Sequence, residues 1–279
     1  MSNNKNDRYP VVGFKCALIT GGAGGIGRAL AEYFLSQNKK VIIAGRTQAN
    51  LEKTSRELGH IPFYVLDTSD IYALEDFVQK LTREHPDVDC LVNNAGIQRP
   101  LDVNKMNSEA FLEKADVEIN TNVLGPLHLT MHLLPHLKAH SAAGGAAVIM
   151  NVSSVLGLNP FSIVNPVYNG TKAWLHCWTM NLRSQLARDR TDVRVVEIIP
   201  PSVGTDLHRE RENPDDNKKH KGADSLTVEE FVEEIAKGLE DDKEVVTAGE
   251  MGRGLVDKWY KAFGEGYRVA EQRMPKVRH

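Results

Sequence analysis

Tyr168-Asn169-Gly170-Thr171-Lys172 sets a phenol and an ammonium four residues apart, neighbours on one face wherever the segment is helical. A tyrosine ordinarily ionises at about pH 10, and an adjacent ammonium favours its phenolate, which brings it toward acid/base use. The pair reads as a proton donor and acceptor. Upstream, an apolar run ends in Asn151-Val152-Ser153-Ser154. That puts two hydroxyls at the carboxyl end of a strand, the edge at which doubly wound α/β sheets bind ligands.

A second constellation lies near the N-terminus, where a short apolar run enters Thr20-Gly21-Gly22-Ala23-Gly24-Gly25-Ile26-Gly27 and then a helical pattern. Glycines at such a strand-to-helix turn let a pyrophosphate approach the backbone amides at a helix N-terminus. Two registers fit: Gly22, Gly24 and Gly27 as G-x-G-x-x-G, or Gly21, Gly25 and Gly27 as G-x-x-x-G-x-G. At the tip of the next strand the chain reads Ile43-Ala44-Gly45-Arg46-Thr47, without an acid to bind a ribose 2′-hydroxyl. The planar, always-charged fork of Arg46 suits a 2′-phosphate, so the cofactor reads as NADP(H) in preference to NAD(H).

The elements that must position these groups alternate. Apolar runs at 16–20, 41–44, 62–66, 89–92, 146–152, 193–198 and 244–247 are separated by amphipathic segments at 26–37, 48–58, 71–84, 108–139, 166–188 and 227–241. This predicts an α/β protein: a single-domain Rossmann fold with a doubly wound, parallel seven-stranded sheet in order 3-2-1-4-5-6-7 and helices on both faces. The expected organisation is a polar N-terminal extension over 1–13, the α/β domain over 14–250, and a C-terminal helix (252–263) and tail over 251–279. The charged stretch 206–225 breaks the pattern and reads as a substrate lid, followed by a helix whose Thr227-Val228-Glu229-Glu230 is a capping box.

Composition narrows the partners. Over 279 residues, Lys+Arg is 34 against Asp+Glu 37, which argues against a surface built for nucleic acid. The chain has no uninterrupted apolar stretch long enough for a bilayer and no apolar leader pattern, so no membrane partner and a cytoplasmic location are expected. Cys16, Cys90 and Cys177 are widely spaced and read as buried thiols rather than metal ligands. His128, His132, His136 and His140 recur every four residues and read as a surface or subunit-contact stripe; no metal site is expected.

Taken together, the chain resembles the short-chain dehydrogenase/reductase family over nearly all of residues 14 to 250. The family's T-G-x-x-x-G-x-G is matched by Thr20, Gly21, Gly25 and Gly27, its N-N-A-G by Asn93-Asn94-Ala95-Gly96, its N-x-x-G by Asn122 to Gly125, and its Y-x-x-x-K by Tyr168 and Lys172. Within the family it looks most like the DltE-type oxidoreductases, through Gly96-Ile97-Gln98-Arg99, Asn122-Val123-Leu124-Gly125-Pro126 and Ile199-Pro200-Pro201-Ser202-Val203.

The resemblance implies that Tyr168 exchanges a proton with the substrate oxygen while hydride passes to or from the nicotinamide. It implies that Lys172 holds the nicotinamide ribose and lowers the Tyr168 pKa, that Ser154 donates to the substrate oxygen, and that Asn122 holds a water joining Lys172 to solvent. For the cofactor it implies Thr20, Gly21, Gly22, Gly25, Ile26 and Gly27 near the phosphates, Asp67 and Thr68 near adenine, Asn94, Ala95 and Gly96 along the ribose, and Pro200, Val203 and Thr205 near the nicotinamide. Two departures stand out. The usual P-G after the sixth strand is Pro200-Pro201, and Ser154 to Tyr168 is one residue longer than the commonest spacing, so either Ser153 or Ser154 faces substrate, Ser154 being favoured.

Substrate walls are expected from Ile97, Leu156, Leu158, Phe161 and Leu207, which favours a carbonyl compound (ketone, aldehyde or quinone-like) with apolar bulk, reduced with NADPH and formed again from the alcohol in reverse. Arg99, His208, Arg209 and Arg211 could add an anion contact from the rim. An imine reductase or isomerase on the same scaffold is the alternative enzyme, and a non-catalytic NADP(H)-sensing protein the alternative outside catalysis. The resemblance also implies a homodimer or homotetramer built on the helices at 108–139 and 166–188.

Overall fold

The computed structural model describes residues 9–188, 192–218 and 225–274. Seven strands, β1 (Cys16–Thr20), β2 (Lys40–Gly45), β3 (Phe63–Val65), β4 (Cys90–Asn93), β5 (Ala147–Val152), β6 (Val193–Ile199) and β7 (Val245–Thr247), form one sheet. Every pairing is parallel and the spatial order is 3-2-1-4-5-6-7, as the alternating pattern predicts. The chain walks outward from β1 to β3 and then returns to lay β4 on the other side of β1. That reversal opens a crevice beyond the carboxyl ends of β1 and β4.

The helices are α1 (Gly25–Ser36), α2 (Gln48–Glu57), α3 (Leu74–Glu84), α4 (Ser108–Ile119), α5 (Gly125–Ala142), α6 (Pro166–Arg188), α7 (Val228–Glu240) and α8 (Gly249–Arg273). Two apolar layers sandwich the sheet, one holding Phe14, Phe34 and Phe231 and the other Leu81, Leu133, Leu137 and Leu182. Because both faces are covered, β5 and β6 are buried at every position, which is why their apolar residues follow one another without alternation, interrupted by the buried Asn151, Arg194 and Glu197. The capping box at Thr227 is formed: its hydroxyl accepts from Glu230 N (3.1 Å), and its own N–H donates to Glu230 Oε2 (3.0 Å). Such a cap stabilises a helix by about 1 kcal/mol.

Several expectations are corrected. The helix expected over 108–139 is broken after Ile119 by a five-residue π turn, Asn120–Leu124. Pro126 has no N–H to give the carbonyl four residues back, that of Asn122, and the wider turn forms where the α ladder loses this donor. The N-terminal extension ends inside the protein, since Val11 is fully buried against the layer that holds Phe14; residues 1–8 lie outside the described residues. The last helix starts at Gly249 and runs to Arg273, longer than 252–263, because Trp259 and Tyr260 pack on His176 of α6 and anchor its middle. Cys177 is exposed, unlike Cys16 and Cys90, because it lies on the outer side of α6.

The histidine stripe is not uniform. His128 and His132 stack on each other, whereas His136 Nε2 bonds Val88 O (2.9 Å) and His140 lies 3.7 Å from Asp89, both just ahead of β4. Among the described residues no helix is long and apolar enough to cross a membrane.

Candidate active site

β1 and β4 are tied together where they end. Thr20 Oγ1 accepts from the main-chain N–H groups of Asn94 and Ala95, both at 3.0 Å, and Asn94 Nδ2 donates to Thr20 O at 2.9 Å. The turn then passes through Gly25 at φ +50°, a conformation that side chains disfavour. At Gly27 a Cβ would lie 2.4 Å from both Asn94 Nδ2 and Gly21 O. Gly24 is extended (φ −168°) with open space beside it, so the turn depends on the register Gly21, Gly25, Gly27. α1 has no side-chain cap and no acid in its first turn, which leaves its opening amides available to an anion.

From this turn a cleft of about 670 Å³ runs along the carboxyl edge of the sheet, within the range of small-molecule sites. One end is walled by Gly45, Arg46, Thr47, Leu66 and Thr68; Asn94, Ala95 and Gly96 line its middle; Ser154, Tyr168 and Lys172 stand at the other end. Arg46 is exposed and makes no ion pair among the described residues. The residues present fit a phosphorylated dinucleotide: uncapped amides at one point, a guanidinium without an ion pair at another, and the small residues Ala95 and Gly96 between.

Tyr168 and Lys172 come from the first turns of α6, and both are buried, at 5 % and 4 % exposure. The Lys172 Nζ lies 5.6 Å from the centre of the Tyr168 ring and donates to Val152 O at 2.8 Å. Burial raises the Tyr168 phenol above its ordinary value, the Ser154 hydroxyl and the Arg211 charge acting against this and Glu118 reinforcing it. Burial also pushes Lys172 down to about 8, with Glu118 opposing. The expectation that Lys172 lowers the phenol is thus outweighed by desolvation: near neutrality the tyrosine carries its proton.

Ser154 and Ser153 are separated by what their hydroxyls touch. Ser153 Oγ donates to Glu197 Oε1 at 2.6 Å, a carboxylate also held by His176 Nδ1 at 2.9 Å. Ser154 is free of this network: its Oγ accepts from Leu156 N at 3.2 Å, capping a single 3₁₀ turn, Val155–Gly157. That turn lies flat on α6 because residue 157 is glycine; a Cβ there would sit 2.6 Å from the Lys172 main-chain carbon.

A family profile described as short chain dehydrogenase matches residues 15–216. The chain belongs to the short-chain dehydrogenase family. Among relatives of this family, the uncharacterized oxidoreductase DltE of Bacillus subtilis is 37 % identical over 245 residues, 86 % of this chain and 90 % of that protein. The NADP-dependent 3-hydroxy acid dehydrogenase YdfG of Escherichia coli K12 is 32 % identical over 223 residues, 78 % of this chain and 86 % of that one. Of solved structures, 3-ketoacyl-(acyl-carrier-protein) reductase from Brucella melitensis with NADH is 27 % identical with a TM-score of 0.72, covering 84 % of this chain and 96 % of that one. A serine dehydrogenase with NADP+ is 29 % identical with a TM-score of 0.70, covering 84 % and 94 %.

Not every residue expected from the short-chain dehydrogenase pattern reaches the cleft. Gly21, Gly25, Ile26, Pro200, Val203, Thr205, Ile97, Leu156 and Leu207 line it, with Phe161 at the rim, half exposed. Thr20, Gly22 and Gly27 stand behind the turn and shape it. Asp67 faces solvent and accepts from Ser69 N and Oγ at 2.9 and 2.7 Å, and Leu158 lies off the cleft wall. Asn122 is fully buried; its side chain accepts from Ile97 N (2.9 Å) and donates to Ile97 O (2.8 Å) and Thr171 Oγ1 (3.2 Å). It therefore clamps the end of β4 to α6.

The charged stretch expected as a lid is packed rather than loose over 206–218, and 219–224 lie outside the described residues. Arg211 fastens it, donating to Asp216 Oδ2 (2.7 Å), Gln98 Oε1 (3.0 Å) and Asn165 Oδ1 (2.6 Å), while Arg99 pairs with Glu210 at 3.0 Å and His208 with Asp216. These charges are paired with each other instead of facing the cleft as single charges. Sequence reasoning missed Gln98 and Asn165, whose amide groups gain a role only when a guanidinium 46 residues beyond Asn165 folds back onto them.

Proposed function

We propose that the protein is an NADPH-dependent carbonyl reductase, reversible as an alcohol dehydrogenase, acting on a ketone, aldehyde or quinone-like substrate with apolar bulk. The observation that carries this reading is the convergence of Ser154, Tyr168 and Lys172 at one end of a cleft whose other end presents an unpaired Arg46. The NADP dependence of the YdfG relative and the NADP+ bound to the serine dehydrogenase support the same cofactor.

NADPH supplies the hydride when bound. The amides opening α1 would hold its phosphates, Arg46 its 2′-phosphate, Thr68 the adenine side, Asn94, Ala95 and Lys172 the ribose, and Val203 and Thr205 the nicotinamide end. Ser154 Oγ donates a hydrogen bond to the carbonyl oxygen and stabilises the negative charge that develops there. Tyr168, protonated near neutrality because it is buried, gives its Oη proton to that oxygen as the alcohol forms. The Lys172 ammonium stabilises the phenolate left behind. Ile97, Leu156 and Leu207 exclude water on the substrate side.

The test is a titration with NADPH and NADH followed by a panel of bulky ketones, aldehydes, quinones and cyclic imines, read by the disappearance of reduced nicotinamide absorbance. Turnover of carbonyls with NADPH is expected. Turnover of cyclic imines alone moves the reading to imine reduction, and tight NADPH binding without turnover moves it to a sensor. Arg46→Ala is expected to weaken NADPH binding about tenfold or more with little change for NADH, since a hydrogen bond to a charged group contributes about 1.5 to 3 kcal/mol. Equal loss for both nucleotides would remove Arg46 as the selector.

A homodimer or homotetramer is part of the proposal. The exposed apolar residues Leu112 and Ile119 on α4 and Met131 on α5 support it, at 57 %, 39 % and 49 % exposure. Light scattering at micromolar concentration is expected to give two or four times the chain mass; a monomer would remove this part.

A further inference from the structure

One buried carboxyl beside the catalytic pair has no task in the chemistry above. Glu118 lies in the last turn of α4, is 0 % exposed, and neither of its oxygens makes a hydrogen bond of good geometry among the described residues, the Arg99 amide bearing on it only from a poorer one. Polar groups so placed are rare in folded proteins and mark strain or function. α4 packs against α6, the helix of Tyr168 and Lys172. The charges acting on Glu118 are Arg99 from the loop after β4, Lys172 from α6 and Glu210 from the lid. Glu118 in turn acts on both Lys172 and Tyr168. Arg99 is already paired with Glu210 at 3.0 Å, whereas the Lys172 ammonium gives one hydrogen bond, to Val152 O, and has two N–H groups left.

We propose that Glu118 is a positioning residue for the acid/base pair: as pH rises, its carboxylate keeps Lys172 charged inside the protein, the state in which the lysine can stabilise the phenolate that Tyr168 leaves on giving up its proton. This rests on the reduction chemistry assigned to Tyr168 above. Lys172 can stabilise a phenolate only while it is an ammonium, and burial works against that charge, drawing it down to about 8. Glu118 is the group that works for it. Burial raises Glu118 itself to about 8; Arg99, through its amide and its charge, and Lys172 oppose this, and Glu210 adds to it. Near neutrality the carboxyl is protonated and the lysine charged. As pH rises the carboxyl gives up its proton, and the carboxylate so formed holds the ammonium, the two titrating as one coupled pair.

The sign follows for a variant without the charge. Glu118 raises both Lys172 and Tyr168, so its removal lowers both, and the alkaline limb of carbonyl reduction moves to lower pH. In Glu118→Gln that limb is expected to shift down by about one unit, a small loss near pH 7 growing to about tenfold near pH 9. Glu118→Asp, which keeps a carboxylate, is expected to recover part of the limb. Thermal unfolding of both variants checks that they fold. A wild-type profile in Glu118→Gln overturns the proposal, and so does an equal loss at every pH, the mark of a purely structural role.

If the wild type turns over no carbonyl, the parent reading fails while the electrostatic claim can still be tested by carbon-13 NMR of labelled glutamate carboxyls. The expected result is one signal titrating far above the others, absent in Glu118→Gln and displaced in Lys172→Met. No such signal, or one indifferent to Lys172, overturns it.

Discussion

Tyr168→Phe is expected to lower the rate of carbonyl reduction by about 10³-fold while leaving NADPH affinity and unfolding temperature close to wild type. The ring is 5 % exposed and packed, and phenylalanine keeps that packing. What disappears is the phenol at the substrate end of the cleft, which carries its proton near neutrality. Hydride transfer to a carbonyl carbon without a proton for its oxygen would leave an alkoxide in a desolvated site, which is costly enough to account for a loss of this size. Single-turnover kinetics with preloaded NADPH separates this from weakened binding. A variant retaining a tenth or more of the wild-type rate would show that another group delivers the proton.

The two serines should part company in the same assay. Ser154→Ala is expected to cost about 10²- to 10³-fold in kcat, the usual loss when a donor to a developing oxyanion is removed, with little change in stability. Its hydroxyl stands outside the Glu197 network, accepting from Leu156 N and facing the Tyr168 phenol. Ser153→Ala should show the reverse: activity within about threefold, but a destabilisation of about 1 to 3 kcal/mol, because the buried Glu197 loses a 2.6 Å hydrogen bond and keeps only His176. Paired measurements of kcat and of denaturant midpoint decide it. If Ser153→Ala lost the greater activity, the assignment of the two hydroxyls would have to be exchanged.

Much of this site is legible in the residue order because it depends on short-range rules. Glycines 21, 25 and 27 are required by a turn within a few residues of themselves, Tyr168 and Lys172 share a face because the helix period puts them there, and Thr227 and Glu230 cap each other across one turn. The apolar runs Ala147 to Met150 in β5 and Val195-Val196 and Ile198-Ile199 in β6 announce strands covered on both faces, and with them the parallel sheet and its crevice. Val11, the break at 120–124 and the length of α8 were harder to see. Val11 is buried in the layer that holds Phe34 and Phe231, and α8 is anchored by His176, partners that no local window contains.

The sequence by itself thus determined the order of elements, the sheet, the glycine turn and the juxtaposition of Tyr168 with Lys172, since each follows from periodicity or from a motif contained in one turn. Only the tertiary structure decided which serine stands outside the Glu197 network, where Arg211 and Asn122 direct their hydrogen bonds, and that a fully buried carboxyl, Glu118, lies on the helix packed against that of Lys172. Those outcomes depend on desolvation and on contacts between residues dozens of positions apart, and they come into being when the helices close over the carboxyl edge of the sheet.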